Sequence, residues 1–138
     1  YLECAPKDLN STKYNLNTNV FIETSIDIGT GQTNTANINI QNPSKEYAAY
    51  ASSIHSVNGV TGWFLPSWKE MILLATAAQN YPALTIKNDR IYNTSSQYPP
   101  IDGIYYYYWY SVRPDYGLTT EYPCWAHESR YVRPIRSF

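Results

Sequence analysis

The sequence predicts an α+β domain in which two helices pack on a twisted antiparallel sheet. Residues 20–28 alternate apolar and polar side chains, as a half-buried strand does. Two segments with helix-start residues and helically spaced apolar side chains follow. After Pro82 the helical period ends, and an aromatic segment of high strand propensity appears. The order of strand, two helices and several strands is typical of α+β proteins.

Length and charge limit the classes of partner. The chain has 138 residues, which suits one domain. Its 10 Lys+Arg and 11 Asp+Glu give a net charge of -1, so we expect no nucleic-acid partner and no anionic membrane surface. The longest apolar run, residues 71–78, falls short of the roughly 20 residues of a membrane span, so we expect no membrane insertion. Tyr1 is interpreted as the edge of a mature chain or of an excised domain. A larger parent protein, or an oligomer of the domain, is the expected setting.

The first elements are predicted from local patterns. Residues 1–18 are polar and favour turns, which predicts an irregular start. The strand at residues 20–28 ends at Gly29. Residues 36–40 alternate again but contain Asn, so both a short strand and a helical turn are compatible with them.

Two helices are predicted next. Asn42-Pro43 is a good helix start, with one apolar face formed by Tyr47, Ala51 and Ile54. The second helix begins with a capping box, residues 67–70, and ends near Asn80, before Pro82. Its buried stripe comprises Met71, Leu74, Ala75 and Ala78.

The last third predicts strands and loops. We expect a short strand at residues 84–86, a loop at 93–100, an aromatic strand at 104–110 and a turn at 113–117. The last strand is expected at residues 130–136, where Pro134 restricts it to a sheet edge or a bulge.

Several motifs together resemble a known family. Residues 57–71 read VNGVTGWFLPSWKEM and residues 131–138 read YVRPIRSF. Further landmarks are GTGQTNT at 29–35, YAA at 47–49 and YYWYS at 107–111. This pattern resembles the bacterial domain family named for the C-terminal domain of the Legionella collagen-like adhesin. That family has a C-type-lectin-like fold of the formylglycine-generating-enzyme type. The likeness covers about residues 25–138 of a single domain spanning residues 1–138, and residues 1–24 are not covered.

The resemblance implies a non-enzymatic, adhesin-type ligand-binding domain of a bacterial surface or secreted protein. Its location would be extracellular or on the cell surface. The alternative is a variable receptor-binding protein of a diversity-generating retroelement, bacterial or carried on a phage particle. The chain departs from the family at residues 108–113, where YWYSVR replaces YWSSTE, and its C-terminal stretch is shorter. These departures fall where C-type-lectin-like domains place their ligand surface.

Catalysis, metals and cofactors are not expected. Formylglycine-generating enzymes use two C-terminal cysteines with copper, and only Cys124 lies in that region here. Cys124 and His127 are three residues apart, but no oxyanion-hole motif accompanies them. Calcium-dependent lectins need oxygen ligands around a Pro and a Trp-Asn-Asp run, whereas this chain has Arg113 before Pro114 and Ala126 after Trp125.

The two cysteines lie near opposite ends of the chain. The extracellular setting that the resemblance implies favours a Cys4–Cys124 disulfide, which would close a long loop. Two unpaired thiols are the alternative.

An aromatic surface is the candidate binding site for a host or environmental glycan or a protein ligand. The chain has 15 Tyr, and residues 105–110 form an aromatic block. If Tyr105, Tyr107 and Trp109 pack inward, their neighbours form an exposed face, and the opposite assignment is the alternative. Arg133 and Arg136 are interpreted as structural. The predicted ligand-binding residues are Tyr106, Tyr108, Tyr110, Arg113, Asp115, Tyr116, Tyr122, Trp125, His127 and Arg130.

Overall fold

A computed structural model shows a mixed α+β architecture with two sheets. It describes residues 1–13, 21–42, 45–99, 108–118, 122–125 and 128–138. Within these residues there are three helices, α1 Gly31–Gln41, α2 Ala48–Ser53 and α3 Trp68–Asn80. The strands are β1 Leu2–Cys4, β2 Leu9–Lys13, β3 Tyr92–Gln97, β4 Tyr108–Val112, β5 Tyr122–Trp125, β6 Ser129–Val132 and β7 Ile135–Ser137. None of the described helices is long and apolar enough to cross a membrane.

The two sheets bring distant parts of the chain together. Strands β1 and β7 form a two-stranded antiparallel sheet in which Leu2 lies opposite Ser137. The larger sheet has the order β2-β6-β3-β4-β5. Only its β3–β6 contact is parallel among the described pairs. Strand β3 is therefore central, and β2 and β5 are the edges.

The capping box at the start of α3 is confirmed. The Ser67 hydroxyl accepts the Glu70 backbone N–H at 3.3 Å, and the Glu70 carboxylate accepts the Ser67 N–H at 2.7 Å. The second carboxylate oxygen accepts the Gly29 N–H at 2.8 Å. Met71 and Ala75 are buried, and the helix ends at Asn80 as predicted. The local pattern was sufficient because its partners lie within one helical turn.

The loop predicted at residues 93–100 is wrong for residues 93–97, which belong to the buried central strand β3. Several of their polar side chains form hydrogen bonds inside the protein. The Thr94 hydroxyl donates to the Tyr110 carbonyl at 2.7 Å, and the Ser96 hydroxyl accepts the Trp68 N–H at 3.0 Å. Burial of a polar strand is tolerated when each group finds such a partner.

The strand predicted at residues 20–28 is also wrong, since residues 21–28 form no strand. The Ile22 N–H donates to the Gln97 side-chain carbonyl at 2.7 Å, and the Ser25 N–H donates to the Asn34 side-chain carbonyl at 2.9 Å. The Gln97 N–H in turn donates to the Thr24 hydroxyl at 2.8 Å. Side-chain oxygens thus accept the backbone N–H groups that a neighbouring strand would otherwise accept. Ile22 is buried, as the predicted strand pattern required.

Helices α1 and α2 differ from the expected boundaries. Residues 36–40, for which both a short strand and a helical turn were compatible with the sequence, belong to helix α1. The predicted start at Asn42-Pro43 is wrong, because Asn42 ends α1 by donating its N–H to the Ile38 carbonyl. Pro43 lies outside the described residues, and α2 begins at Ala48. Ile54, expected on the buried face, is 62% exposed.

Other strand predictions need correction. The irregular start expected at residues 1–18 contains β1 and β2. The strand expected at 84–86 is absent: Leu84 ends a 3-10 turn, and Thr85 has a left-handed φ of 56°. The strand expected at 130–136 is two strands, β6 and β7, separated at Arg133 and Pro134. A proline has no N–H to offer a sheet, which explains the division.

The sheet is covered on both faces. One hydrophobic cluster joins Trp109 to the α1–α2 side of the domain, and the other joins Tyr110 to α3. Neighbouring residues of β4 therefore point into different cores. The first cluster comprises Ile22, Ile38, Ala48, Ala49, Leu65, Trp109, Cys124 and Val132. The second comprises Trp68, Met71, Ala75, Tyr92, Tyr110 and Val112.

Candidate functional site

Two aromatic side chains form a platform at the edge of the larger sheet. Tyr108 begins β4 and lies opposite Trp125, the last residue of β5. Their ring centroids are 4.6 Å apart, with an angle of 42° between the planes. Trp125 is 41% exposed and Tyr108 is half-buried. We call Tyr108 and Trp125 the aromatic platform.

An ion pair adjoins the aromatic platform. One Glu128 oxygen accepts a hydrogen bond from the Arg130 guanidinium at 2.7 Å and one from the Trp125 backbone N–H at 3.3 Å. Glu128 therefore links Trp125 to Arg130, two of the predicted site residues. Glu128 is not among the residues predicted from the sequence. Its spacing of two residues from Arg130 was a usable signal, because such residues share a face of an extended chain.

The prediction that Tyr110 lies on the binding surface is wrong. Its side chain is only 6% exposed. Its ring lies 5.0 Å from that of Trp68 and 4.7 Å from that of Tyr98. The alternation rule assumed one solvated face, whereas both faces of β4 are covered. Trp109 is buried, as the inward assignment expected.

A second group of predicted site residues lies beyond the other end of β4. Arg113 donates two hydrogen bonds to Asp115, at 2.7 and 3.1 Å. Tyr116 is 62% exposed, and the Asp115 N–H donates to the Asn88 carbonyl. Arg113 follows Tyr108 by five positions of extended chain, a distance of about 17 Å. The structure therefore divides the predicted set into two groups.

Three residues complete the predicted set, Tyr106, Tyr122 and His127. Tyr106 and His127 lie outside the described residues. Tyr122 contributes its backbone to β5 opposite Ser111.

The predicted Cys4–Cys124 disulfide is not formed, and both cysteines are free. Cys4 lies in β1 opposite Ile135, whereas Cys124 lies in β5 opposite Trp109. The two thiols thus belong to different sheets, and Cys124 is buried in the core. Burial raises the pKa of the half-buried Cys4 thiol, with the nearby Arg133 opposing that rise.

The two C-terminal arginines have the structural roles expected of them. The Arg133 side chain is 2% exposed and pairs with Asp8 at 2.6 Å. The Arg136 guanidinium pairs with Glu3 at 2.6 Å and lies 5.5 Å from the centroid of the Trp63 ring. Both interactions join the end of the chain to its beginning.

Two pKa shifts occur in groups away from the aromatic platform. Burial lowers the pKa of His55, and the Lys69 ammonium lowers the pKa of the exposed Asp27 carboxyl. Neither group lies in the aromatic platform. Over the described part of the chain, no three His, Cys, Asp or Glu side chains group together as metal ligands would.

No protein-family model, curated protein or solved structure matches the chain. The α+β class and the two-sheet topology therefore rest on the structure itself.

Proposed function

We propose that this chain is a C-type-lectin-like, non-enzymatic ligand-binding domain. The motifs that carry the resemblance support the proposal by their contacts. Phe64 and Ile135, one from each of the two longest motifs, exchange backbone hydrogen bonds at 2.8 and 3.0 Å. Strand β7, which contains the end of the second motif, pairs with β1 from the part of the chain that the resemblance does not cover. The family setting is a bacterial surface or secreted protein, outside the cell, with no cofactor.

The aromatic platform carries the functional proposal. An exposed indole offers an apolar face to the C–H groups of a sugar ring. The hydroxyl groups of the sugar need charged hydrogen-bond partners beside that face. Trp125 supplies that face, and Glu128 and Arg130 adjoin it. The platform has two rings, a size suited to one or two sugar units. A specific protein partner would need about 800 Å² of surface. The proposed ligand is therefore a glycan, and a protein ligand is the other outcome of the test.

The decisive experiment is glycan binding by wild-type protein and matched variants. We expect Trp125→Ala to weaken binding by more than tenfold, because hot-spot aromatics contribute about 2 kcal/mol or more. Tyr108→Ala should also weaken it. The control is Tyr116→Ala, which removes a more exposed aromatic side chain outside the aromatic platform and should leave affinity unchanged. A glycan array identifies the ligand, and calorimetry measures affinity with and without a chelator.

The experiment distinguishes a loss of glycan affinity from a loss of folding stability. Trp125→Ala should change the free energy of unfolding by about 1 kcal/mol, because its side chain is 41% exposed and packs only in part, on Tyr108. Trp109→Ala should destabilise the protein by about 3–5 kcal/mol, since that ring is in the core. Equal glycan affinity of Trp125→Ala and wild type would overturn the proposed site. Binding to a protein partner but to no glycan would overturn the ligand class.

A further inference from the structure

A cleft lined by positive charge lies away from the aromatic platform. Its volume is about 370 Å³, and it lies between the segment after β1, the turn before β3 and Arg133. We call it the basic cleft. Its charged and hydroxyl-bearing lining residues are Lys7, Asp8, Thr85, Lys87, Arg90 and Arg133.

Charge is concentrated in the basic cleft. Four of the ten Lys and Arg residues of the chain line it, against one of the eleven acidic residues. The lining therefore has a net charge of +3, whereas the whole chain has a net charge of -1. Like charges repel when they converge on one concave surface, and an anion placed among them relieves that repulsion.

Hydrogen bonds to a buried arginine and to Asp8 form the floor of the basic cleft. Arg133 is buried and donates to one Asp8 oxygen at 2.6 Å and to the Leu84 carbonyl at 2.8 Å. The other Asp8 oxygen accepts from Arg90 at 2.7 Å and from the Tyr92 hydroxyl at 3.2 Å. Asp8 is thus engaged on both oxygens, and it orients two guanidinium groups.

Donors remain available toward the cleft. The Arg90 guanidinium carbon lies 4.2 Å from the centroid of the Tyr131 ring, so Asp8 and Tyr131 together fix its plane. Lys7 and Lys87 are exposed. Neither ammonium group has an ion-pair partner among the described residues. A planar fork and two mobile ammonium groups are the combination that phosphate and sulfate oxygens accept well.

Backbone strain marks the same place. Thr85 has a φ of 56°, a left-handed conformation that is unusual for a β-branched residue. The buried Arg133 holds it there by donating to the Thr85 carbonyl at 3.2 Å. Strained residues that are over-determined in this way cluster at ligand clamps.

We propose that the basic cleft binds a tetrahedral anion, a phosphate or sulfate group, through Arg90, Lys87 and Lys7. The site is distinct from the aromatic platform. Tyr131 contacts Arg90, and its neighbour Arg130 contacts Glu128, so these successive residues of β6 point to opposite faces of the sheet. The proposal therefore stands whether or not the aromatic platform binds a glycan.

The test is a titration of the whole domain with sodium phosphate and sodium sulfate, balanced with sodium chloride to constant ionic strength. Amide NMR shifts should saturate and should be largest at residues 7 and 85–90. Lys87→Gln should weaken binding about tenfold, the effect of losing one charge-assisted hydrogen bond. Lys45→Gln removes the same charge from an exposed lysine outside the cleft and should leave binding unchanged.

Two further arms identify the source of the anion and guard against misfolding. A sulfated oligosaccharide that binds tighter than inorganic sulfate would identify a sulfate ester as the source, and equal affinity would identify the free anion. Arg90→Lys keeps the charge but loses the planar fork, and it should bind more weakly than wild type while retaining the wild-type circular dichroism. Shifts that stay linear in anion concentration would overturn the proposal. An equal loss in Lys45→Gln and Lys87→Gln would also overturn it.

Discussion

Replacement of Arg133 by Met tests how the chain termini are joined. The Arg133 guanidinium donates to Asp8 and to the carbonyl oxygens of Ala5, Leu84 and Thr85. Met has a similar volume and no donor. The variant therefore leaves Asp8 with one fewer cation and leaves three carbonyl groups short of a donor. Removing one partner of a buried ion pair costs about 3–5 kcal/mol.

That loss is large against the total stability of such a domain, which is about 5–15 kcal/mol. It corresponds to a fall in melting temperature of about 10–15 °C for a chain of this size. Arg136→Met is the matched control. Its pair with Glu3 has side chains 27% and 44% exposed, so we expect a loss of about 0–1 kcal/mol.

Urea unfolding followed by tryptophan fluorescence measures both losses, with equal denaturant slopes as the check that the unfolding reaction is the same. The double variant of Asp8→Asn and Arg133→Met should cost less than the two single losses added together, because the residues interact directly. Equal losses for Arg133→Met and Arg136→Met would refute the reasoning.

Three further outcomes follow from the structure. Gly31→Ala should destabilise the protein by about 1–3 kcal/mol, because the new methyl group would overlap the Glu70 carboxylate; an unchanged urea midpoint would contradict this. Burial raises the pKa of Tyr92 to about 12, so the folded state holds the phenol proton more tightly than the unfolded state, and the free energy of unfolding should fall from pH 10 to 12. Tyr92→Phe removes this proton and should flatten the fall; the same pH profile in the variant and the wild type would contradict the prediction. Alkylation without reductant, followed by mass spectrometry, should modify the half-buried Cys4 slowly in the native protein, because its raised pKa leaves little thiolate. The buried Cys124 should react only after unfolding, and a denatured protein with no reactive thiol would instead reveal a disulfide.

The sequence alone was enough to predict features whose partners are close in the chain. The capping box of Ser67 and Glu70 predicted α3 because both hydrogen bonds form within one helical turn. The burial of Trp109 belonged to one of the two alternating assignments that the sequence left open, and the structure decides for it. The α+β class followed from the same local patterns.

Features that depend on distant partners were decided only by the tertiary structure. Residues 93–97 have the composition of a loop, yet β3 is central, and its Thr94 and Ser96 hydroxyls form hydrogen bonds with Tyr110 and Trp68, which are distant in the chain. Residues 21–28 look like a strand, yet Gln97 takes the place of a neighbouring strand.

The candidate site shows the same division. Aromatic composition pointed to the C-terminal third, but it did not separate the buried Tyr110 from the exposed Trp125. That separation depends on α3, whose Trp68 covers one face of β4. The basic cleft was not anticipated, because its cationic residues lie between 3 and 126 positions apart in the chain. The pairing of Asp8 with Arg90 and Arg133 joins the three segments that carry these residues at one surface, and a charge attracts its partner across space whatever their separation in the sequence.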